Sequence, residues 1–142
     1  MNRTIIKLFL CLCIVTALPS YAYNTVHYYF RTVDIRNGLS QNSVNCIFQD
    51  KKGFMWFGTK DGLSRYDGLS FRIYNNENSN LGRNFITVLY EDSKGNIWVG
   101  TDGGLYIYNP ILDSLTEFNL VSDKGTVIRD FVTMIRCDEH SN

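Results

Sequence analysis

Residues 42–67 read NSVNCIFQDKKGFMWFGTKDGLSRYD, and residues 84–109 read NFITVLYEDSKGNIWVGTDGGLYIYN. Laid over one another without gaps, ten of the 26 positions are identical: Asn42/Asn84, Asp50/Asp92, Lys52/Lys94, Gly53/Gly95, Trp56/Trp98, Gly58/Gly100, Thr59/Thr101, Gly62/Gly104, Leu63/Leu105 and Tyr66/Tyr108. The period is 42 residues. Self-similarity at this spacing marks an array of supersecondary units, none of which buries its apolar faces without neighbours. A third copy opens at Phe131, where FVTMIRCDEHSN follows FITVLYEDSKGN with Asp138 at the place of Asp92. Its tryptophan is expected at position 144, beyond Asn142, so the sequence reads as an array interrupted in mid-unit.

Each copy carries strand and turn chemistry. Residues 44–49 and 54–59 are rich in β-branched, aromatic and aliphatic side chains and flank Asp50-Lys51-Lys52-Gly53. This predicts a hairpin in which the Asp carboxylate caps the backbone N–H groups that follow and Gly takes a positive φ. Asp92-Ser93-Lys94-Gly95 repeats it. Lys60-Asp61-Gly62, matched by Asp102-Gly103-Gly104, then turns the chain into a third strand at residues 63–66, and a fourth run follows at 71–74. Four short strands in about 42 residues are the content of one β-propeller blade. No window sustains apolar residues at helical spacing. The predicted class is all-β: a partial propeller of two four-stranded blades, an N-terminal closing strand and the start of a third blade.

Apolar residues on both strand faces suit stacked blades better than a sheet wet on one side. Val44, Cys46 and Phe48 oppose Ile47, and Phe54 and Trp56 oppose Met55 and Phe57. Trp56 and Trp98 are expected to be buried between blades, and Gly58 and Gly100 to mark a close approach or a bulge.

The strings QDKKGFMWFGTKDGLSRYDG and EDSKGNIWVGTDGGLYIYN resemble the two-component regulator propeller repeat, with its D-x-x-G-x-[IL]-W-x-G-T core, D-G-L or G-G-L turn and R-Y-[DN]. Gly38-Leu39-Ser40-Gln41-Asn42 resembles the usual approach to a first blade. The resemblance implies the periplasmic sensor of a hybrid two-component regulator, of the kind common in glycan-degrading gut bacteria. Such proteins carry two propellers of about seven blades each and an immunoglobulin-like domain. A membrane span, a histidine kinase core, a receiver and often a DNA-binding domain follow. The implied ligand is an oligosaccharide, and the implied parent is membrane-anchored and homodimeric.

The expected organisation is a signal peptide at 1–22, a closing strand and approach at 23–41, blade 1 at 42–80, blade 2 at 81–120 and the opening of blade 3 at 121–142. Arg3 and Lys7 precede an apolar run at 8–18, and Ser20-Tyr21-Ala22 offers small residues to signal peptidase, so a new N-terminus is expected at Tyr23. The run is shorter than a bilayer span, and Cys11 and Cys13 lie within it behind large neighbours, which disfavours a lipid anchor. Phe30-Arg31-Thr32-Val33 resembles the fourth-strand run Phe71-Arg72-Ile73-Tyr74 and is expected as the closing strand. With unpaired edges at both ends, the chain is expected to be poorly soluble and unable to signal alone.

The sequence offers little chemistry. Beyond residue 22 there are 12 basic and 14 acidic side chains, with no basic stripe to recommend nucleic acid. His27 and His140 have no partner at metal-ligand spacing, and His140 matches the turn residue Lys94. Ser40, Ser43 and Ser70 lack a nucleophile elbow. Asp92-Ser93-Lys94-Gly95-Asn96 begins like a calcium loop but has lysine where an oxygen ligand belongs. The glycines of Asp102-Gly103-Gly104 precede no helix. Cys46 and Cys137 fall at different blade positions, so Cys46 reads as core rather than half of a disulfide. Tyr28, Tyr29, Tyr66 and Tyr108 read as exposed aromatics, but the recurrence of Tyr66 at Tyr108 points to packing. No catalytic residue, metal ligand or cofactor is assigned, and the ligand-contacting residues stay unknown. The alternative is an exported propeller lectin or lyase, since the fold does not dictate one activity.

Overall fold

The computed structural model describes residues 26–137, so the expected signal peptide and the Tyr23 terminus lie outside the described residues. Two antiparallel meanders follow the repeat. Blade 1 comprises β1 (Val44–Gln49), β2 (Met55–Thr59), β3 (Gly62–Tyr66) and β4 (Phe71–Tyr74), paired in chain order. Blade 2 comprises β5 (Ile86–Glu91), β6 (Ile97–Thr101), β7 (Gly104–Asn109) and β8 (Ser114–Phe118), paired the same way.

Each recurrent residue has a local cause. Asp50 Oδ1 accepts the N–H groups of Lys52 at 3.0 Å and Phe54 at 2.9 Å, which closes the β1–β2 turn. Its Oδ2 accepts the Trp56 indole N–H at 2.8 Å. Asp92 repeats both bonds, with Trp98 Nε1 at 3.0 Å. The capping role was legible beforehand; the bond that aims the indole was not. Thr59 Oγ1 donates to the Gly62 carbonyl at 2.9 Å and accepts from Asp61 N–H, and Thr101 does the same with Gly104 and Gly103. A buried hydroxyl thus satisfies the turn from inside. Asn42 and Asn84 each use Oδ1 to hold the approaching chain, through the N–H groups of Ile35 and Asn76.

The glycine at 58 and 100 is a seat for the next unit. A Cβ on Gly58 would lie 2.6 Å from Cγ2 of Ile86, and one on Gly100 2.9 Å from Cγ1 of Val132. The expected bulge is also present, on the facing strand. The β1–β2 register slips between Val44 and Cys46, and the β5–β6 register slips between Ile86 and Val88. The extra residues, Asn45 and Thr87, donate across to the carbonyls of Ile86 at 2.7 Å and Val132 at 2.5 Å. Each bulge therefore stitches one unit to the next.

The core lies between the blades. Trp56, Leu63 and Tyr74 of blade 1 meet Ile86, Ile97, Val99, Tyr106, Tyr108 and Leu115 of blade 2, with Leu81 beside them. Trp56 meets Tyr108 edge-on at 4.8 Å between centroids. The far face of blade 1 is covered by the approach segment, where Leu39 is buried and Ser40 N–H donates to the buried hydroxyl of Ser64. Leu81 and Gly82 repeat this arrangement on Tyr106.

Three expectations are corrected. No strand forms over Phe30–Val33, because a strand needs a ladder partner and none of the described residues supplies one. Downstream of blade 2 the chain makes a short hairpin, β9 (Leu120–Val121) with β10 (Val127–Ile128), and residues 131–137 form no ladder although Val132 sits at Gly100. Trp56 is fully buried at 1% exposure, whereas Trp98 is half-buried. Tyr108, whose recurrence pointed to packing, is buried against blade 1.

Candidate functional site

Residues that recur explain the scaffold, so a unique site is sought where the two copies differ. Arg65 on β3 is such a position, matched in blade 2 by Ile107. Its guanidinium lies 4.9 Å from the Phe54 ring centroid and 5.8 Å from that of Trp56, and it donates to the Tyr108 hydroxyl. Arg72 on β4 pairs with Asp113 at 2.5 Å. Asp113 stands in the β7–β8 turn with φ 49°, a left-handed conformation that aspartate tolerates, and from there its carboxylate crosses back to blade 1. It accepts from the hydroxyls of Tyr74 at 2.5 Å and Tyr108 at 2.8 Å.

Asp113, Arg72, Arg65 and Tyr74 line one side of an open groove of about 540 Å³ at the outer rim, completed by Ser70 and Asn78. Burial works against the charged form of Asp113, but the two tyrosine hydroxyls and the two guanidinium groups outweigh it and hold its carboxyl below the usual range. Burial, then the bond to Asp113, pushes Tyr74 far above its ordinary pKa, and burial also raises Tyr108. The carboxylate stays ionised and the phenols stay protonated, so no group here is poised to move a proton near neutral pH. The arrangement offers fixed donors and acceptors, which suits hydrogen bonding to a polar ligand.

Of the sequence candidates, Ser70 borders the groove and Tyr108 bonds Asp113, and the others fall elsewhere. Ser40 Oγ bonds the Thr59 hydroxyl, Ser43 N–H is taken by Gln41, and Ser70 is capped by Asp67. Both oxygens of Asp92 are occupied by the turn and the indole, which leaves no loop for calcium. Cys46 and Cys137 form no disulfide, and burial pushes the Cys46 thiol up to about 11. Tyr66 stacks on Phe71 and donates to the Gly68 carbonyl, while Tyr28, Tyr29 and His27 are exposed. His140 lies outside the described residues. Among the described residues no three His, Cys, Asp or Glu side chains converge to hold a metal, and no helix is long and apolar enough to cross a membrane. Sequence reasoning missed Arg65, Arg72 and Asp113. The usable signal was disagreement between copies: arginine against isoleucine at 65/107, and an aspartate in the part of blade 2 that falls outside the aligned stretch.

Comparison with known proteins fits this geometry. Residues 38–61 and 80–103 match the two component regulator propeller family, each span running from the buried leucine segment through the β2 or β6 strand. Over 50 residues the chain is 48% identical to histidine kinase P4 of Formosa agariphila, a match that covers 35% of this chain and 4% of that protein. Among solved structures it is similar to the extracellular domain assigned to the hybrid two component system BT3049 of B. thetaiotaomicron. That match has 30% identity and a TM-score of 0.60, over 71% of this chain and 15% of the other. The extracellular domain assigned to BT4673 of the same organism gives 29% identity and a TM-score of 0.57, over 63% of this chain and 13% of the other. The chain thus spans a small part of each relative. Blades 1 and 2 each carry a stretch that matches the two component regulator propeller family, over residues 38–61 and 80–103.

Proposed function

We propose that this chain is part of the periplasmic ligand-sensing propeller of a hybrid two-component regulator, and that the regulator senses oligosaccharides to control glycan-utilisation genes. The observation that carries the reading is the repeated Asp–turn–Trp hairpin, set in an architecture shared with the extracellular domains of two component systems. The groove at Arg65, Arg72 and Asp113 supports it. Planar guanidinium, carboxylate and amide groups with fixed orientation match the many hydroxyls of a sugar, and the ion pairs need no charge on the ligand. In the proposed parent a histidine kinase supplies the output, export follows cleavage after Ala22, and the parent is a membrane-anchored homodimer.

The test is titration calorimetry of the chain, and a transcriptional reporter driven by the parent, with a panel of neutral and acidic oligosaccharides. One oligosaccharide should bind and switch the reporter on, and Asn78→Ala at the groove should weaken binding, with the melting temperature followed alongside because the Asn78 side chain also bonds Asn75 N–H and the Ile73 carbonyl. A parent that answers only to a non-carbohydrate ligand would overturn the sugar assignment.

A further inference from the structure

Recurrence between these blades generally reports packing, as Trp56, Gly58 and Thr59 do, but one recurrent position packs against nothing. The β3–β4 turn holds Leu69 at 94% exposure, and the β7–β8 turn holds Ile111, one period later, at 90% with Leu112 beside it at 70%. Neither turn is loose. Asp67 Oδ1 accepts the N–H groups of Leu69 and Ser70, and Asn109 Oδ1 accepts those of Ile111 and Leu112. A turn whose backbone is satisfied in this way displays its aliphatic side chain in a fixed place.

The β1–β2 and β5–β6 turns open at the same end. Lys51 N–H donates to Glu91 and its ammonium to the Asp92 carbonyl, and the Arg72–Asp113 pair ties β4 to the β7–β8 turn. Lys52 and Lys94, another recurrent pair, project there, and their ammonium groups have no partner among the described residues. Among the described residues the carboxylates at this end are Asp50, Asp67, Glu91, Asp92 and Asp113, and every one accepts hydrogen bonds from the protein itself. Formal charges balance, but the acids are drawn inward and the two lysines point outward.

We infer that this end of the blades rests on a phospholipid surface, with Leu69, Ile111 and Leu112 entering the acyl boundary and Lys52 and Lys94 meeting lipid phosphates. Aliphatic tips on separate convex turns do not make the contiguous patch that a protein interface requires. Repetition from blade to blade suits a partner that has no unique shape, and apolar tips rimmed by lysine are the pattern of interfacial membrane contact. The inference is independent of the ligand.

The test places a reporter at the tips of the full chain, L69W and I111W, and adds vesicles with brominated acyl chains. Each variant should show a blue shift and quenching beyond that of the parent, stronger with phosphatidylglycerol than with phosphatidylcholine alone. K52Q/K94Q should weaken binding to the anionic vesicles by about tenfold or more. Because the readout sits at residue 69 or 111, membrane attachment through residues 1–22 does not imitate it. Emission unchanged by vesicles would overturn the inference, whether or not the chain sediments with them. A blue shift that grows with protein concentration in the absence of lipid would overturn it too, by assigning the tips to protein contact.

Discussion

The two tryptophans occupy one repeat position with one hydrogen-bond partner type, yet their surroundings differ. Between blades 1 and 2, Trp56 is closed in by Tyr74 and Tyr108, with Arg65 over its face, and the slot beside it leaves only about 30 Å³. On the far face of blade 2, Trp98 meets Phe118 edge-on and borders a cavity of about 370 Å³, with Ile135, Arg136 and Cys137 opposite. Sequence decides what the blade presents, and the neighbour decides how much of it is buried. The lesson is general for arrays whose units contact only adjacent units.

The largest expected effect follows from that contrast. Trp56→Ala should destabilise the chain by about 3 to 5 kcal/mol, the range for a large ring removed from a packed core. Trp98→Ala removes a ring that is already half open, and about 1 to 2 kcal/mol is expected from the smaller area it buries. Urea unfolding followed by hydrogen exchange in each blade measures both. Equal losses would mean that the two faces are equally packed.

Glycine substitution sharpens the same comparison at smaller scale. Gly58→Ala drives a methyl into Cys46 and Ile86, both held by strands, and about 1 to 3 kcal/mol is expected for overpacking. Gly100→Ala places its methyl 2.6 Å from Cγ1 of Val88, which β5 holds, and 2.9 Å from Val132, so a loss of about 1 to 3 kcal/mol is expected here too. A Gly100→Ala loss well below that of Gly58→Ala would show that Val88 and Val132 yield where Cys46 and Ile86 do not.

The smallest effect is a pH dependence in blade 2. Burial opposes the charged form of Asp92, but the bonds from Trp98, from the Asn96 side chain and from the N–H groups of Asn96 and Lys94 bring it down from 3.8 to about 2. Its folded value lies below its unfolded one, so its contribution is complete above about 3.8 and fades as the pH falls towards 2. Melting between pH 5 and 2 should therefore flatten in Asp92→Asn relative to the parent. Parallel curves would remove Asp92 from the account.

Much of the fold was legible because each turn is built by residues close in sequence. Asp50 to Gly53 and Thr59 to Gly62 carry their own hydrogen bonds, and the 42-residue spacing repeats them. What was not legible depends on distant partners. Phe30–Val33 has the composition of Phe71–Tyr74 but no ladder to join, and composition alone cannot make a strand. The Asp50–Trp56 bond spans six residues and follows from strand direction, which no pairwise motif states. The rim cluster escaped notice because Arg65 and Asp113 are 48 residues apart and are joined only when the second blade docks.

The central claim is that equivalent side chains differ in burial because their neighbours differ, and tryptophan fluorescence with acrylamide tests it most directly. In Trp98→Phe, which leaves Trp56 as the reporter, emission should be blue-shifted and nearly resistant to quenching. The parent should be quenched severalfold more strongly, through Trp98. Equal quenching of parent and Trp98→Phe would contradict the account, because the two indoles would then be equally accessible.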